Sequence, residues 1–151
     1  MKHSAIYLLT LLIAVFTTGS CKKDTASKTT SSHFVLATVS GSGGSFSALD
    51  GMVNTNKNSA SPLPYVEVNG TSPSGARITV WIYSYAGTIG TFSMDGSNYG
   101  GAYKTTATAA AIPSAHGSLT VTAVTPNLTG SFNFTCTDST VIAGTFNSAT
   151  P

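Results

Sequence analysis

From Phe34 onward, short runs of alternating apolar and polar residues follow one another, each closed by Gly, Pro, Asn, Asp or Ser. A period of two marks strands that show one face to a core and the other to water. Phe34 to Val39 is the first predicted strand, and Ser40 to Gly44 is a turn. Ser45 to Val53 completes a hairpin. Asn54 to Pro64 reads as a polar loop, Tyr65 to Asn69 as a short strand and Gly70 to Gly75 as a turn. Ala76 to Tyr85 has the clearest pattern, with Ile78, Val80 and Ile82 on one face and Arg77, Thr79, Trp81, Tyr83 and Tyr85 on the other.

Gly87 to Phe92 is a glycine-interrupted strand, and Asp95 to Asn98 is turn chemistry. Gly100 to Ala109 is a strand of small residues and Thr, and Pro113 limits any helix there to a turn. Ser114 to Gly117 turns the chain. Ser118 to Thr125, Leu128 to Thr137 and Thr140 to Asn147 then form a closing meander, with Ile142 and Phe146 inward. About nine short strands with no helix between them predict an all-β domain, either an antiparallel sandwich or a partly open barrel.

The first 32 residues follow a different pattern. A short basic start, Met1-Lys2-His3, precedes an apolar run from Ala5 to Phe16 that is too short to cross a bilayer as a helix. Small residues and Cys21 follow. This is the build of an export signal. Residues 1–20 are therefore expected to be a cleaved signal peptide and residues 21–32 a tether. Residues 33–151 form a single β domain, a length that suits one core. Lys22 to Ser32 is rich in Ser, Thr and Lys and reads as a flexible linker. Its reach is at most ~36–40 Å.

Gly19-Ser20-Cys21, behind that apolar run, resembles the lipobox of bacterial lipoproteins. The resemblance implies that the Cys21 thiol is diacylated, that the chain is cut before it and that the new amine is acylated. Each buried CH₂ contributes about 0.8 kcal/mol, so two or three chains on Cys21 would hold a protein durably where one would not. Further along, Ala37-Thr38-Val39 with Gly43-Gly44-Ser45-Phe46-Ser47-Ala48 resembles a shared opening hairpin. Gly117 to Thr122, Leu128 to Phe134 and Gly144-Thr145-Phe146 resemble a shared closing meander. Together they are similar to a family of small all-β lipoproteins of Bacteroidota type. That likeness implies a place in the cell envelope, on the periplasmic or surface side of the outer membrane. It implies a modified Cys21 and no catalytic residues.

Charge narrows the function. From His33 onward there are three basic residues (Lys57, Arg77, Lys104) and four acidic ones (Asp50, Glu67, Asp95, Asp138), a net of −1. Such a domain has no basic field to hold nucleic acid. Catalytic patterns are also missing from the sequence. His33 and His116 have no partner at metal-ligand spacing, and no Gly-x-Ser-x-Gly elbow occurs. The four carboxylates are far apart along the chain, so a glycosidase pair would need the fold to assemble it. Asp95 to Asn98 is too short and weakly charged for a Ca²⁺ site. No phosphate loop is expected at Gly41 to Gly44, since no helix follows. Cys136 shares a face with Phe132 and Phe134 and reads as a core thiol with no cationic neighbour to activate it. The expectation is a protein that is not an enzyme and has no cofactor or metal.

Trp81, Tyr83 and Tyr85 are the candidate ligand-binding residues. Rings at every second position of a strand can form a flat platform that stacks on sugars, with a polar handle on each ring. They can equally fill a core while the Ile and Val side meets another sheet or a loop. The expected function is a lipid-anchored binding or structural module for a glycan or an envelope protein. The alternative is a barrel-like carrier of a small apolar ligand in a cavity lined by Phe, Ile and Val. Substituting Cys21→Ser is expected to abolish metabolic labelling with a palmitate analogue; undiminished labelling refutes lipidation at this residue.

Overall fold

Alternation is the chain's main instruction, and the computed structural model follows it with antiparallel strands throughout. It describes residues 32–41, 44–58, 65–83, 87–96 and 98–150. The expected signal peptide, Cys21, the tether up to residue 31 and the candidate Tyr85 lie outside these. Ten strands form: β1 (Phe34–Val39), β2 (Gly44–Leu49), β3 (Val53–Asn58), β4 (Tyr65–Thr71), β5 (Arg77–Tyr83), β6 (Gly90–Ser93), β7 (Tyr99–Lys104), β8 (Ile112–Ala123), β9 (Asn127–Cys136) and β10 (Val141–Ala149). No helix occurs among the described residues.

The strands join in the order β2-β1-β10-β9-β8-β7-β5-β4-β3, a single, nearly closed, barrel-like sheet. The long β8 carries the bend. One of its edges pairs with β9 along most of its length. Its other edge pairs first with the end of β7 at Ile112 and Pro113, then with β6 from Ser118 to Val121. The chain therefore leaves β5, visits β8 through β6, and returns as β7 to lie beside β5.

Inward residues follow the period of two. Ile78, Val80 and Ile82 of β5 are buried with Leu119 and Val121 of β8, Leu128, Phe132, Phe134 and Cys136 of β9, and Ile142 and Phe146 of β10. Rings lie over glycines on neighbouring strands. A Cβ at Gly130 would sit 2.7 Å from Cζ of its cross-strand partner Phe146, and one at Gly144 would sit 2.7 Å from Cζ of its partner Phe132. A Cβ at Gly101 would meet Phe134 Cε1 at 2.7 Å. The interior is filled down to these backbone surfaces.

Three sequence expectations are corrected. The loop expected over Asn54 to Pro64 holds most of β3, an edge strand that is polar beyond the core-packed Val53 and is held by its ladder to β4. Its Asn and Lys residues suit an edge that must not recruit another strand. The turn expected over Ser114 to Gly117 is instead part of β8, with a bulge between Ser114 and His116. Gly117 is required by close approach, since a Cβ there would strike Phe134 Cα at 2.6 Å. Ser114 is buried and its hydroxyl accepts the Gly101 N–H at 3.0 Å. The strand expected over Gly100 to Ala109 ends at Lys104.

The chain's entry into the domain is pinned. Asp50, beyond the end of β2, accepts the N–H groups of Ser32 at 3.0 Å and His33 at 2.5 Å and the Ser32 hydroxyl at 3.1 Å. The His33 Nδ1 lies 3.6 Å from the same carboxylate. These bonds, the His33 N–H foremost, hold the Asp50 carboxyl below its usual value, so the clasp contributes fully above the ordinary carboxylate range and is lost as pH falls through the lowered value.

Cys136 is 1% exposed, and burial, aided by the nearby Asp138 charge, pushes its thiol up to about 11. The thiolate is the reactive form. In a Cys21→Ser chain, maleimide at pH 8 is expected to leave native Cys136 unlabelled and to label it once the protein is unfolded in guanidinium. Rapid native labelling would mean that this edge of the core opens.

Candidate functional site

With Ile78, Val80 and Ile82 committed to the core, the other face of β5 must point outward. Trp81 and Tyr83 are accordingly half-buried on the outer surface, and the core-filling alternative for these two rings is set aside. Tyr83 meets Tyr65 of β4, its directly opposite partner, edge to face at 5.5 Å between ring centroids. Tyr85 has no described position.

Trp81 pairs across the sheet with Glu67 on β4 and with Gly100 on β7. Gly100 has no side chain, and the indole lies down on its backbone. A Cβ at position 100 would be 2.5 Å from Cε2 and 2.8 Å from Nε1 of the ring. The indole N–H is buried against the sheet and meets no acceptor among the described residues. An orphaned donor of this kind costs about 1–3 kcal/mol. The ring rests on Gly100 and forms part of the wall of an open groove.

That groove, of about 230 Å³, runs along the outer face of β4, β5 and β7, between Glu67, Arg77, Thr79, Trp81, Ala102 and Lys104. Its polar wall is fixed by Asn69, which is fully buried. The Asn69 Oδ1 accepts from Arg77 Nε at 2.9 Å, from Thr79 Oγ1 at 2.7 Å and from Arg77 Nη2, while its Nδ2 donates to Glu67 Oε1. The Arg77 Nη2 also lies 3.6 Å from Glu67 Oε1, with the two side chains 39% and 23% exposed. Half-exposed charges held in one geometry by a buried amide are preorganised hydrogen-bonding groups. Chemically, the arrangement offers a stacking surface beside a carboxylate, a guanidinium and a hydroxyl.

The groove has two unlike ends. Thr71 pairs with Arg77, which pairs with Lys104, and the Thr71 N–H reaches the Met52 carbonyl in the turn after β2. The charged end is therefore tied, through Thr71 of β4, to the turn after β2. Trp81 and Tyr83 lie farther along β5, toward the opposite end.

Of the other residues weighed in the sequence, His116 is exposed on β8 rather than in a turn, and His33 belongs to the Asp50 clasp. Asp138 accepts the Thr140 N–H in the turn between β9 and β10. Glu67 joins the groove, so the four carboxylates of the domain are distributed over different turns and faces. Among the described residues, no three His, Cys, Asp or Glu side chains are grouped to hold a metal ion. Sequence reasoning did not find Glu67, Asn69, Gly100 or Lys104 as members of one site. Arg77 and Thr79 were visible as face-mates of Trp81, but the other four depend on which strands lie beside β5.

No family model, no curated protein and no solved structure matches this chain.

Gly100→Ala is expected to lift the indole from the sheet. Because a side chain moves rather than backbone, the stability loss should be near the low end of overpacking, about 1 kcal/mol. Trp81 is the only tryptophan, so its fluorescence reads the change directly: emission should shift red and acrylamide quenching should rise. Unchanged fluorescence would show that the ring does not rest on Gly100.

Proposed function

We propose that this protein is a lipid-anchored lipoprotein of the cell envelope whose β domain is non-catalytic and binds glycan along the outer face of β4, β5 and β7. The observation that carries the reading is the position of Trp81, held against Gly100 while lining an open groove. A sugar ring has an apolar C–H face that packs on a flat aromatic ring, while its hydroxyls need hydrogen-bond partners in the same plane. Glu67, directly opposite Trp81, and Thr79 supply such partners, and Asn69 holds them in place.

The low charge and the expected acylation of Cys21 support the anchored, non-enzymatic part. A binding domain on a short linker keeps its ligand near the membrane and needs no chemistry of its own. The interior favours surface binding over carriage of a small apolar ligand, since Phe132, Phe134 and Phe146 already press on glycine backbone across the core.

Trp81→Ala is expected to weaken binding to the retained glycans of a mixed panel about tenfold, the equivalent of about 1.4 kcal/mol, with an unchanged far-ultraviolet circular dichroism spectrum. Equal binding by the variant and the wild type would remove the aromatic platform as the site.

A further inference from the structure

On the reading that the Trp81 face is a glycan surface, we propose that its ligand is an acidic oligosaccharide, with one ring stacked on Trp81 and a carboxylate held at the other end of the groove by Lys104 and Arg77. Two independent features of the groove lead there.

The first is an uncompensated cation. Lys104 lines the groove, yet it has no hydrogen-bond or ion-pair partner among the described residues. Glu67, the carboxylate in the same groove, is already engaged by Arg77 and Asn69. The local balance is two cations against one anion, in a domain whose net charge is −1.

The second is the register. Arg77 and Lys104 are directly opposite partners on neighbouring strands and share the outer face. Opposed residues of an antiparallel pair stand about 5 Å apart at Cβ, and like charges there repel. A chain with so few charges has little need to place two of its cations face to face. An anion seated between them turns the repulsion into a two-pronged contact, with the planar guanidinium and the ammonium both donating. The Asn69 bonds to Arg77 Nε and Nη2 fix one prong in advance.

Spacing decides what kind of molecule fits. Trp81 and Arg77 are four residues apart on β5, which at the rise of a strand is about 13 Å. A single sugar stacked on the indole does not reach the cations, whereas a short oligosaccharide lying along the strand does. Ala102, between Lys104 and Gly100 on β7, keeps the floor of the groove low along that path.

The test uses oligogalacturonates and oligomannuronates beside their carboxyl-reduced counterparts, which keep the chain length and lose the charge. Titration of the full-length protein by isothermal calorimetry is expected to show the acidic members binding about fivefold more tightly at low salt, as suits a half-exposed ion pair. That preference should vanish in Lys104→Gln and fade as salt is raised. Trp81→Ala should weaken acidic and reduced forms alike. Equal binding of acidic and reduced forms by the wild type, or a preference that survives in Lys104→Gln, overturns the acidic ligand while leaving the glycan surface standing. Binding of neither form, in calorimetry and on a broader glycan array, overturns both.

Discussion

Rings laid across glycine backbone are the interaction on which the rest of this molecule depends. A strand residue without a Cβ leaves a bare patch of main chain, and an aromatic side chain from the neighbouring strand can lie against it. Inside the barrel, Phe146 covers Gly130 and Phe132 covers Gly144 in reciprocal pairs between β9 and β10. Those contacts bring the core down to backbone level, and a methyl group at either glycine would collide with a packed ring. Outside, Trp81 on Gly100 is the same device turned toward water. In the core the arrangement gives density. On the surface it gives a flat, held aromatic plane at the cost of a buried N–H without an acceptor.

The outer groove follows from a topological detour. If β6 had simply paired with β5 as the next strand in sequence, Gly100 would not stand beside Trp81 nor Lys104 beside Arg77. β6 pairs with β8 instead, and the stacked rings of Phe92 and Tyr99, 4.5 Å apart, join β6 to the start of β7 where the chain comes back. β8 makes this possible because it is long enough to serve two strands on one edge. Its bulge near Ala115 sits where the pairing changes from β7 to β6. Gly100 and Ala102 of β7, undistinguished as sequence, thus become the rest for the indole and the low floor of the groove.

In the proposed anchoring, the two ends of that groove have different situations. The clasp of Asp50 on Ser32 and His33 fixes where the chain enters the first strand, and the cation pair of Arg77 and Lys104 lies at one end of the groove. The aromatic residues lie at the other end of the groove, farther along β5. Long-range charge plays little part in such a domain, so short-range stacking and fixed hydrogen bonds must supply most of its selectivity.

By itself the sequence determined the all-β character, the inward rows of β9 and β10 and the burial of Cys136. Each of these is written locally, in a period of two, in turn residues or in a run of apolar side chains, and local patterns need no knowledge of partners. It also showed that Trp81 and Tyr83 share a face with Arg77 and Thr79. The tertiary structure alone decided that this face is outside, because which side of a two-faced strand meets the core depends on what the other strands bring to it. It also decided that β3 is a strand, since polar edge residues hold their place through backbone pairing that leaves no mark in hydrophobicity. Above all it chose the neighbours of Trp81. Gly100 and Glu67 reach the indole, and Lys104 reaches Arg77 farther along the groove, through ladders between strands, and a ladder is a relation between distant segments that neither segment states alone.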